Sequence, residues 1–121
     1  MEYSFEKLLV WKESKDLVCS VYSLLKQFPR YEMYGLCDQI RRAVISIPSN
    51  IVEGNIKKSS KERLHFFEIA FGSLLEVYCQ LIISKDLGYI TNDDLSDLKP
   101  KINMVNKLLS GLKNSLETNT K

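Results

Sequence analysis

The segment between Pro29 and Asn55 most constrains the fold, because it is one long stretch of helix-like apolar periodicity. The positions that follow the three- and four-residue steps of one helix face are Ile40, Val44, Ile47 and Ile51. On a helical wheel, Ile45 and Val52 fall well over a quarter-turn from that face. A helix that is apolar over more than half of its circumference typically buries two surfaces rather than one. The pattern therefore predicts an oligomer.

Pro48 lies inside this predicted helix, where it removes one backbone hydrogen bond and crowds the carbonyl group of Val44. The apolar period continues beyond the proline, so we expect a kink rather than a chain break. Pro29 stops the preceding helix, because the residue before a proline is disfavoured in the helical region. With a break expected at Gly54-Asn55, these limits predict a second helix over residues 34–55.

Two further segments have the apolar stripe of a helix that faces one core. The first covers residues 6–28 and gathers its polar residues on the opposite side. The last covers residues 92–116, and its stripe alternates steps of three and four like a coiled-coil seam. That stripe consists of Leu95, Leu98, Ile102, Val105, Leu109, Leu112 and Leu116. Pro100 lies off the stripe and is expected to bend this helix without ending it.

The third predicted helix, over residues 60–87, has the clearest start signal. Ser59 followed by Glu62 fits a capping box, in which the serine hydroxyl accepts a hydrogen bond from the Glu62 amide. Thr91 and Asp94 repeat this signature before the fourth helix. Like the second helix, the third is apolar on more sides than a single core requires.

Together these segments predict an all-α protein with one domain over residues 1–121, a length that fits a single core. Strand-like alternation and a glycine-rich linker are both missing from the sequence. Four helices with short connections predict an antiparallel up-down four-helix bundle. The wide apolar faces of the second and third helices predict a homo-oligomer. The expected interface positions include Ile45, Val52, Ile69 and Ile83.

Charge, hydropathy and cysteine content narrow the class of protein. A net charge of +2 does not by itself commit the chain to a polyanionic partner. No leader-like segment opens the chain, and no uninterrupted apolar run reaches the ~18 residues of a membrane span. Cys19, Cys37 and Cys79 are odd in number and lie among apolar residues, which favours reduced, buried thiols over disulfides or a metal site. We therefore expect a cytoplasmic protein without a membrane partner.

Little in the sequence supports catalysis. His65 is the only histidine, so one chain cannot build a two-histidine metal site. It lies away from the main stripe of the third helix, which favours a surface or interface position over a catalytic base. The glycines are isolated and form no phosphate-binding loop. We expect no enzymatic activity, no catalytic residue, no metal and no cofactor.

Basic residues concentrate around the predicted turn between the second and third helices. Between residues 41 and 63, six cations face two carboxylates, a local excess of four positive charges. The candidates for contact with phosphate groups are Lys57, Lys58, Lys61, Arg63 and Arg42. A solvated, charged hairpin tip explains the pattern equally well. Repetition around a ring of subunits would favour a nucleic-acid site, because a modest patch would become a large basic field.

For Arg41, Arg42 and Glu76, a structural interpretation competes with phosphate binding. If the second and third helices fold back on each other, the two arginines lie level with Gly72 or Ser73, one turn from Glu76. An arginine–carboxylate pair across these helices, or across a subunit contact, is therefore the favoured interpretation. The small residues beside it would let another helix approach closely.

Three stretches of the sequence together resemble one protein family. They are RRAVISIPSNIVEG at residues 41–54, FPRYEMYGL before it, and IAFGSLLEV at residues 69–77. With them the chain resembles the small bacterial proteins encoded in intervening sequences of 23S ribosomal RNA genes. It is also similar to the accessory variability protein of diversity-generating retroelements. The resemblance covers nearly the whole chain, including the aromatic-rich opening with Trp11.

The resemblance implies a ring-shaped pentamer of four-helix bundles without known catalytic residues. It also implies partners, because the retroelement relatives bind nucleic acid and a reverse transcriptase through a basic surface. We therefore expect a homopentamer that binds RNA or DNA, and a reverse transcriptase as a partner if one is encoded nearby. A protein scaffold that binds no nucleic acid is the second hypothesis, and an enzyme is the third.

Overall fold

Four α-helices make up the fold, which a computed structural model describes over residues 1–119, with Asn119 described by its backbone only. α1 spans Leu9–Leu25, α2 Leu36–Ile56, α3 Ser60–Asp86 and α4 Asn92–Asn119, and the described residues contain no strand. α1 packs against α2 and α4, and α3 packs against the same two helices. The prediction of an all-α, four-helix fold is confirmed.

One hydrophobic core lies between the four helices and takes residues from each of them. Its largest fully buried side chains are Phe67, Leu17, Ile40, Ile47, Ile51, Leu74, Leu81, Leu109, Val21, Val44, Val77 and Val105. The predicted inner face of α2 is thus the face that the core buries. Burying a side chain of this size contributes about 1.5–3 kcal/mol, so these residues dominate the stability of the fold.

α1 is shorter at both ends than the predicted span of residues 6–28. Ser4–Lys7 form a separate 3-10 turn, because Leu8 is extended (φ −74°, ψ 124°) and interrupts the helix. After Leu25 the backbone tightens, and the amide of Phe28 donates to the Leu25 carbonyl at 3.1 Å. This tightened turn places Phe28 in the core.

The connection from α1 to α2 contains a second 3-10 turn, Arg30–Glu32, so α2 begins two residues later than predicted. Hydrogen bonds to the Glu32 carboxylate stabilise this connection. One of its carboxylate oxygens accepts from the Leu36 amide at 3.2 Å, and the other accepts from the Tyr89 hydroxyl at 2.8 Å. The carboxylate therefore caps α2 from outside the helix and ties this connection to the one between α3 and α4.

α2 continues through Pro48, as its apolar period predicted. α2 ends at Ile56, one residue beyond the predicted end, and Gly54 is buried inside its last turn. The glycine faces Phe67 of α3. It serves the close packing of two helices rather than a turn.

α3 and α4 begin at the predicted capping residues. Ser59 Oγ accepts from the Glu62 amide at 3.1 Å, and its hydroxyl donates to the Glu62 carboxylate. Thr91 Oγ1 accepts from the Asp94 amide at 3.0 Å, and Asp94 accepts from the Thr91 amide at 2.9 Å. A cap of this kind stabilises a helix by ~1 kcal/mol.

α3 ends in a tight reversal at Gly88, whose φ of +83° favours glycine. The Tyr89 amide donates to the Ser84 carbonyl at 2.9 Å, and the Gly88 amide donates to the Lys85 carbonyl at 3.0 Å. These two bonds form a Schellman motif, which satisfies the last carbonyl groups of the helix. In the next helix Pro100 is accommodated without a break.

Among the described helices, α3 alone is long and apolar enough to cross a membrane, with a mean hydropathy of 1.6 over 18 residues. The core explains part of this composition, because Phe67, Leu74 and Leu81 are fully buried. Ile69 and Ile83, in contrast, are exposed. α3 therefore carries more apolar surface than the core of one chain uses.

Candidate nucleic-acid interface

The turn between α2 and α3 brings four of the predicted basic residues to one end of the molecule. Lys57 and Lys58 follow the end of α2, and Lys61 and Arg63 lie at the start of α3. Lys58 and Lys61 are exposed and make no ion pair in the part of the chain that the structure describes. Their ammonium groups are therefore available to an anion.

The other two cations at this turn are less available. Lys57 Nζ lies 4.0 Å from Glu53 Oε2 and 5.1 Å from the centre of the Phe66 ring. Arg63 Nε is buried and has no hydrogen-bond partner among residues 1–119. Lys58 and Lys61 therefore carry most of the free positive charge of the turn.

The structure separates Arg42 from this turn. Arg42 lies 15 residues before Lys57 along α2, a distance of about 22 Å at the rise of an α-helix. The local excess of positive charge is consequently smaller than the sequence predicted. Four cations at the turn face Glu53 and Glu62, an excess of two. The 3-10 turn Ser4–Lys7, which packs on α2, adds one cation and one carboxylate and leaves this balance unchanged.

A second group of cations lines a cavity of about 260 Å³ beside the connection between α1 and α2. Lys26, Arg30 and Arg41 approach it from both sides of the connection. The Arg41 guanidinium donates to the Met33 carbonyl at 2.7 Å, which holds it there. Sequence reasoning missed this group because the three cations are spread over 15 residues of the chain, from Lys26 to Arg41, and converge only when the connection folds back.

The thiol of Cys37 borders the same cavity. Burial raises the pKa of Cys37, an effect that the positive charge of Arg41 partly offsets and the negative charge of Glu32 reinforces. Cys19 and Cys79 are exposed. The prediction of buried thiols is therefore correct for Cys37 and wrong for the other two, which lie on outer helix faces.

The single histidine lies on the surface near the start of α3. His65 is exposed, and its ring meets the Phe66 ring edge-on with 5.2 Å between the ring centres. Within residues 1–119, no group of three His, Cys, Asp or Glu side chains is placed to hold a metal ion.

Within one chain the two arginines of α2 pair with Asp38 and not with Glu76. Arg42 Nε donates to Asp38 Oδ2 at 3.1 Å, and Arg41 lies 3.9 Å from the same carboxylate. Asp38 is the nearer partner because it precedes Arg42 by one turn on the same helix face. Glu76 is exposed on α3. Its pairing with an arginine across a subunit contact stays a prediction.

The four predicted interface residues lie on outer surfaces of the molecule. Ile45, Ile69 and Ile83 are 42%, 39% and 45% exposed, and Val52 is half-buried. Ile45 and Val52 line a groove of about 360 Å³ between α1 and α2, together with Trp11. Helix periodicity identified the apolar positions, but the groove forms only because α1 and α2 pack side by side.

Comparison with known proteins bears on the fold and the family. A family model described as 23S rRNA-intervening sequence protein matches residues 6–111. Among solved structures, the chain is similar to a protein of unknown function from the S23 ribosomal protein family of Bacteroides thetaiotaomicron. The two chains are 23% identical and superpose with a TM-score of 0.79, over 87% of this chain and 98% of that one. A search of the curated proteins gave no match.

Proposed function

Because the chain belongs to the family of 23S rRNA-intervening sequence proteins, we propose that it acts as a non-enzymatic homo-oligomer that binds RNA or DNA. The proposed subunit is an antiparallel up-down four-helix bundle, and the proposed assembly is a ring of five in the cytoplasm. By the resemblance to the retroelement accessory protein, a reverse transcriptase encoded nearby is the proposed protein partner.

Contacts between α2 and α3 support the antiparallel arrangement. Ser46 Oγ lies 2.8 Å from Ser73 Oγ, and Gly54 lies against Phe67. As the chain advances along α2, the partner on α3 moves back, which is the register of antiparallel neighbours. The connection of α2 to α3 is short as well, since only residues 57–59 separate them.

Exposed apolar residues support the homo-oligomer. Ile45 on α2 and Ile69 and Ile83 on α3 are exposed although each is a large aliphatic side chain. Single exposed residues of this kind are normal, but aligned ones on two helices form apolar patches that mark interaction sites. Covering them with further copies of the chain removes that surface from water.

The exposed, unpaired charge of Lys58 and Lys61 is the observation that supports the nucleic-acid proposal. Both lysines are exposed and unpaired in the described chain, and they flank Ser59 and Ser60 at the start of α3. The free amides of a helix N-terminus and its dipole also favour anions. In a ring whose axis runs along the helices, every copy presents this turn on the same face. A modest charge per chain then becomes a continuous basic rim.

Gel shifts with structured RNA and with duplex DNA test the proposal. We expect both to shift at low salt without sequence preference, because contacts with phosphate groups do not read bases. We expect both to be released as salt rises, because binding that neutralises phosphates releases counterions. If neither the RNA nor the DNA shifted at low salt, nucleic-acid binding would be contradicted.

A protein scaffold is the second candidate, favoured by the exposed apolar faces and the small positive excess at the turn. It predicts assembly of the chain without any gel shift. Measuring mass and nucleic-acid binding on the same preparation therefore separates the two candidates.

A further inference from the structure

Two exposed apolar surfaces lie on different sides of the molecule, one a groove and the other the convex face of a helix. The groove between α1 and α2 is lined by apolar side chains that include Trp11, Val18, Ile45 and Val52. The exposed positions along the outer face of α3 include His65, Ile69, Gly72, Leu75, Glu76, Cys79 and Ile83. We propose that the groove of one copy receives the outer face of α3 from a second copy. This inference rests on the proposed homo-oligomer and specifies its contact.

The arrangement of the helices allows this contact to repeat from one copy to the next. α1 and α3 are not neighbouring helices, since each packs against α2 and α4. The groove beside α1 and the outer face of α3 are therefore separate surfaces of one chain. A contact between two different surfaces leaves one of each free, so it closes into a ring when the rotation per subunit allows it.

The two surfaces also lie at the same height along the helices. Ser46 on α2 is level with Ser73 on α3, as the 2.8 Å contact between their hydroxyl oxygens shows. Residues 45–52, which supply the α2 side of the groove, are therefore level with about residues 67–74 of α3. Copies in a closed ring are not displaced along its axis. The groove of one copy then meets Ile69 and Gly72 of the next.

Gly72 lies within this α3 segment, and no contact inside its own chain requires a glycine there. A Cβ atom on Gly72 would meet no heavy atom within 4 Å. Its φ is not in the left-handed region, and glycine inside a helix is destabilising relative to alanine. A second chain seated closely against the α3 backbone accounts for a glycine here.

The charges of the two surfaces are opposite. Between residues 64 and 84, α3 carries Glu68 and Glu76 and no lysine or arginine. Lys15 lines the groove, and Arg42, with its side chain 80% exposed, lies one turn before Ile45. Because Glu76 is nearly level with Arg42, the contact places Arg42 of one copy beside Glu76 of the next. Such complementarity favours this pairing of surfaces over others.

Gly72→Leu tests the contact directly, and Asn103→Leu is its control, because Asn103 is exposed on α4 outside both surfaces. We expect Gly72→Leu to remain a single chain in light scattering at concentrations where the wild type and the control assemble. Its helical circular dichroism and cooperative melting should be retained, since its own chain leaves room for the side chain. Assembly of Gly72→Leu to the same mass as the control would overturn the proposed contact and leave the homo-oligomer standing.

Charge exchange provides a second test that does not depend on packing. Arg42→Glu and Glu76→Arg should each weaken assembly about tenfold, and the double variant should restore it. Arg42→Glu also disrupts the contact with Asp38, so restoration is the decisive result. A double variant that assembles no better than the single ones would overturn the pairing. Co-sedimentation of the wild type with phosphatidylcholine vesicles would indicate that the α3 face binds a bilayer, and this result would also overturn the proposed contact.

Discussion

Gly54 of α2 lies so close to the ring of Phe67 on α3 that a Cβ atom built on it would be 2.6 Å from Cε1. Both residues are buried, and Phe67 is the largest fully buried side chain of the core. The absence of a side chain at residue 54 therefore lets α2 and α3 approach near the turn that carries Lys58 and Lys61. The same approach fixes the position of the candidate nucleic-acid interface.

Gly54→Ala should destabilise the fold, although alanine is the better helix former. The added methyl group overpacks the core against an aromatic ring, which typically costs about 1–3 kcal/mol. Gly111→Ala is the matched control, because a Cβ atom there would meet no heavy atom within 4 Å and should stabilise α4 by up to ~1 kcal/mol. Thermal unfolding of the two variants checks both signs. A melting temperature of Gly54→Ala at or above that of the wild type would contradict the packing account.

Tyr89 should make the stability of the fold depend on pH in the alkaline range. Hydrogen bonds with the Tyr31 hydroxyl (3.2 Å) and to Glu32 (2.8 Å) raise the pKa of Tyr89. Because the folded-state pKa is raised, the contribution of these hydrogen bonds to the free energy of unfolding is fully present below the unfolded pKa of about 10. It is lost as pH rises through the higher folded value.

Tyr89→Phe should therefore melt below the wild type at neutral pH, and the difference should shrink above about pH 10. Tyr22→Phe is the control, since Tyr22 is exposed on α1. Melting curves over a pH series measure both. A difference between wild type and Tyr89→Phe that stayed constant through the alkaline range would show that the phenol proton is not what stabilises this connection.

The three thiols should differ in reactivity. Cys37 should react last with a thiol reagent, because it is buried and its pKa is raised, which keeps the thiolate fraction low. Cys19 lines the groove and Cys79 lies on the outer face of α3, so both should react quickly in a single chain and slowly once the chain assembles. Reaction time courses at increasing protein concentration check this order. Reaction rates of Cys19 and Cys79 that did not fall as the protein concentration rose would contradict their burial by a second copy.

Replacing Lys58 and Lys61 together by alanine should weaken binding of RNA and DNA and flatten its dependence on salt. Each lost phosphate contact reduces the slope of log affinity against log salt by a little under one unit. Lys101→Ala with Lys107→Ala removes the same charge from exposed positions of α4 and serves as the control. Fluorescence anisotropy of a labelled RNA across a salt series gives both slopes. Equal slopes for the two double variants would place the binding surface elsewhere.

Local patterns predicted the helices and two of their starts. Ser59 and Thr91 act within three residues of chain, so their capping role can be read without knowing the fold. The i to i+4 pair of Asp38 and Arg42 was equally readable.

Contacts between distant segments could not be predicted in this way. The role of Gly54 depends on Phe67, 13 residues later on another helix. The early end of α1 depends on packing Phe28 into the core. Helix packing forms two further features, the groove beside Ile45 and the cavity lined by Lys26, Arg30 and Arg41. Apolar periodicity does not predict which helices pack together.

The mass of the wild-type chain in solution, measured by light scattering at micromolar concentration, tests the homo-oligomer most directly. The roles proposed for the exposed faces of α2 and α3, and for the charges that border them, depend on a second copy of the chain. We predict a single species near five times the 14.0 kDa of one chain. A stable mass of one chain would contradict the ring, the basic rim that it repeats and the contact between groove and α3.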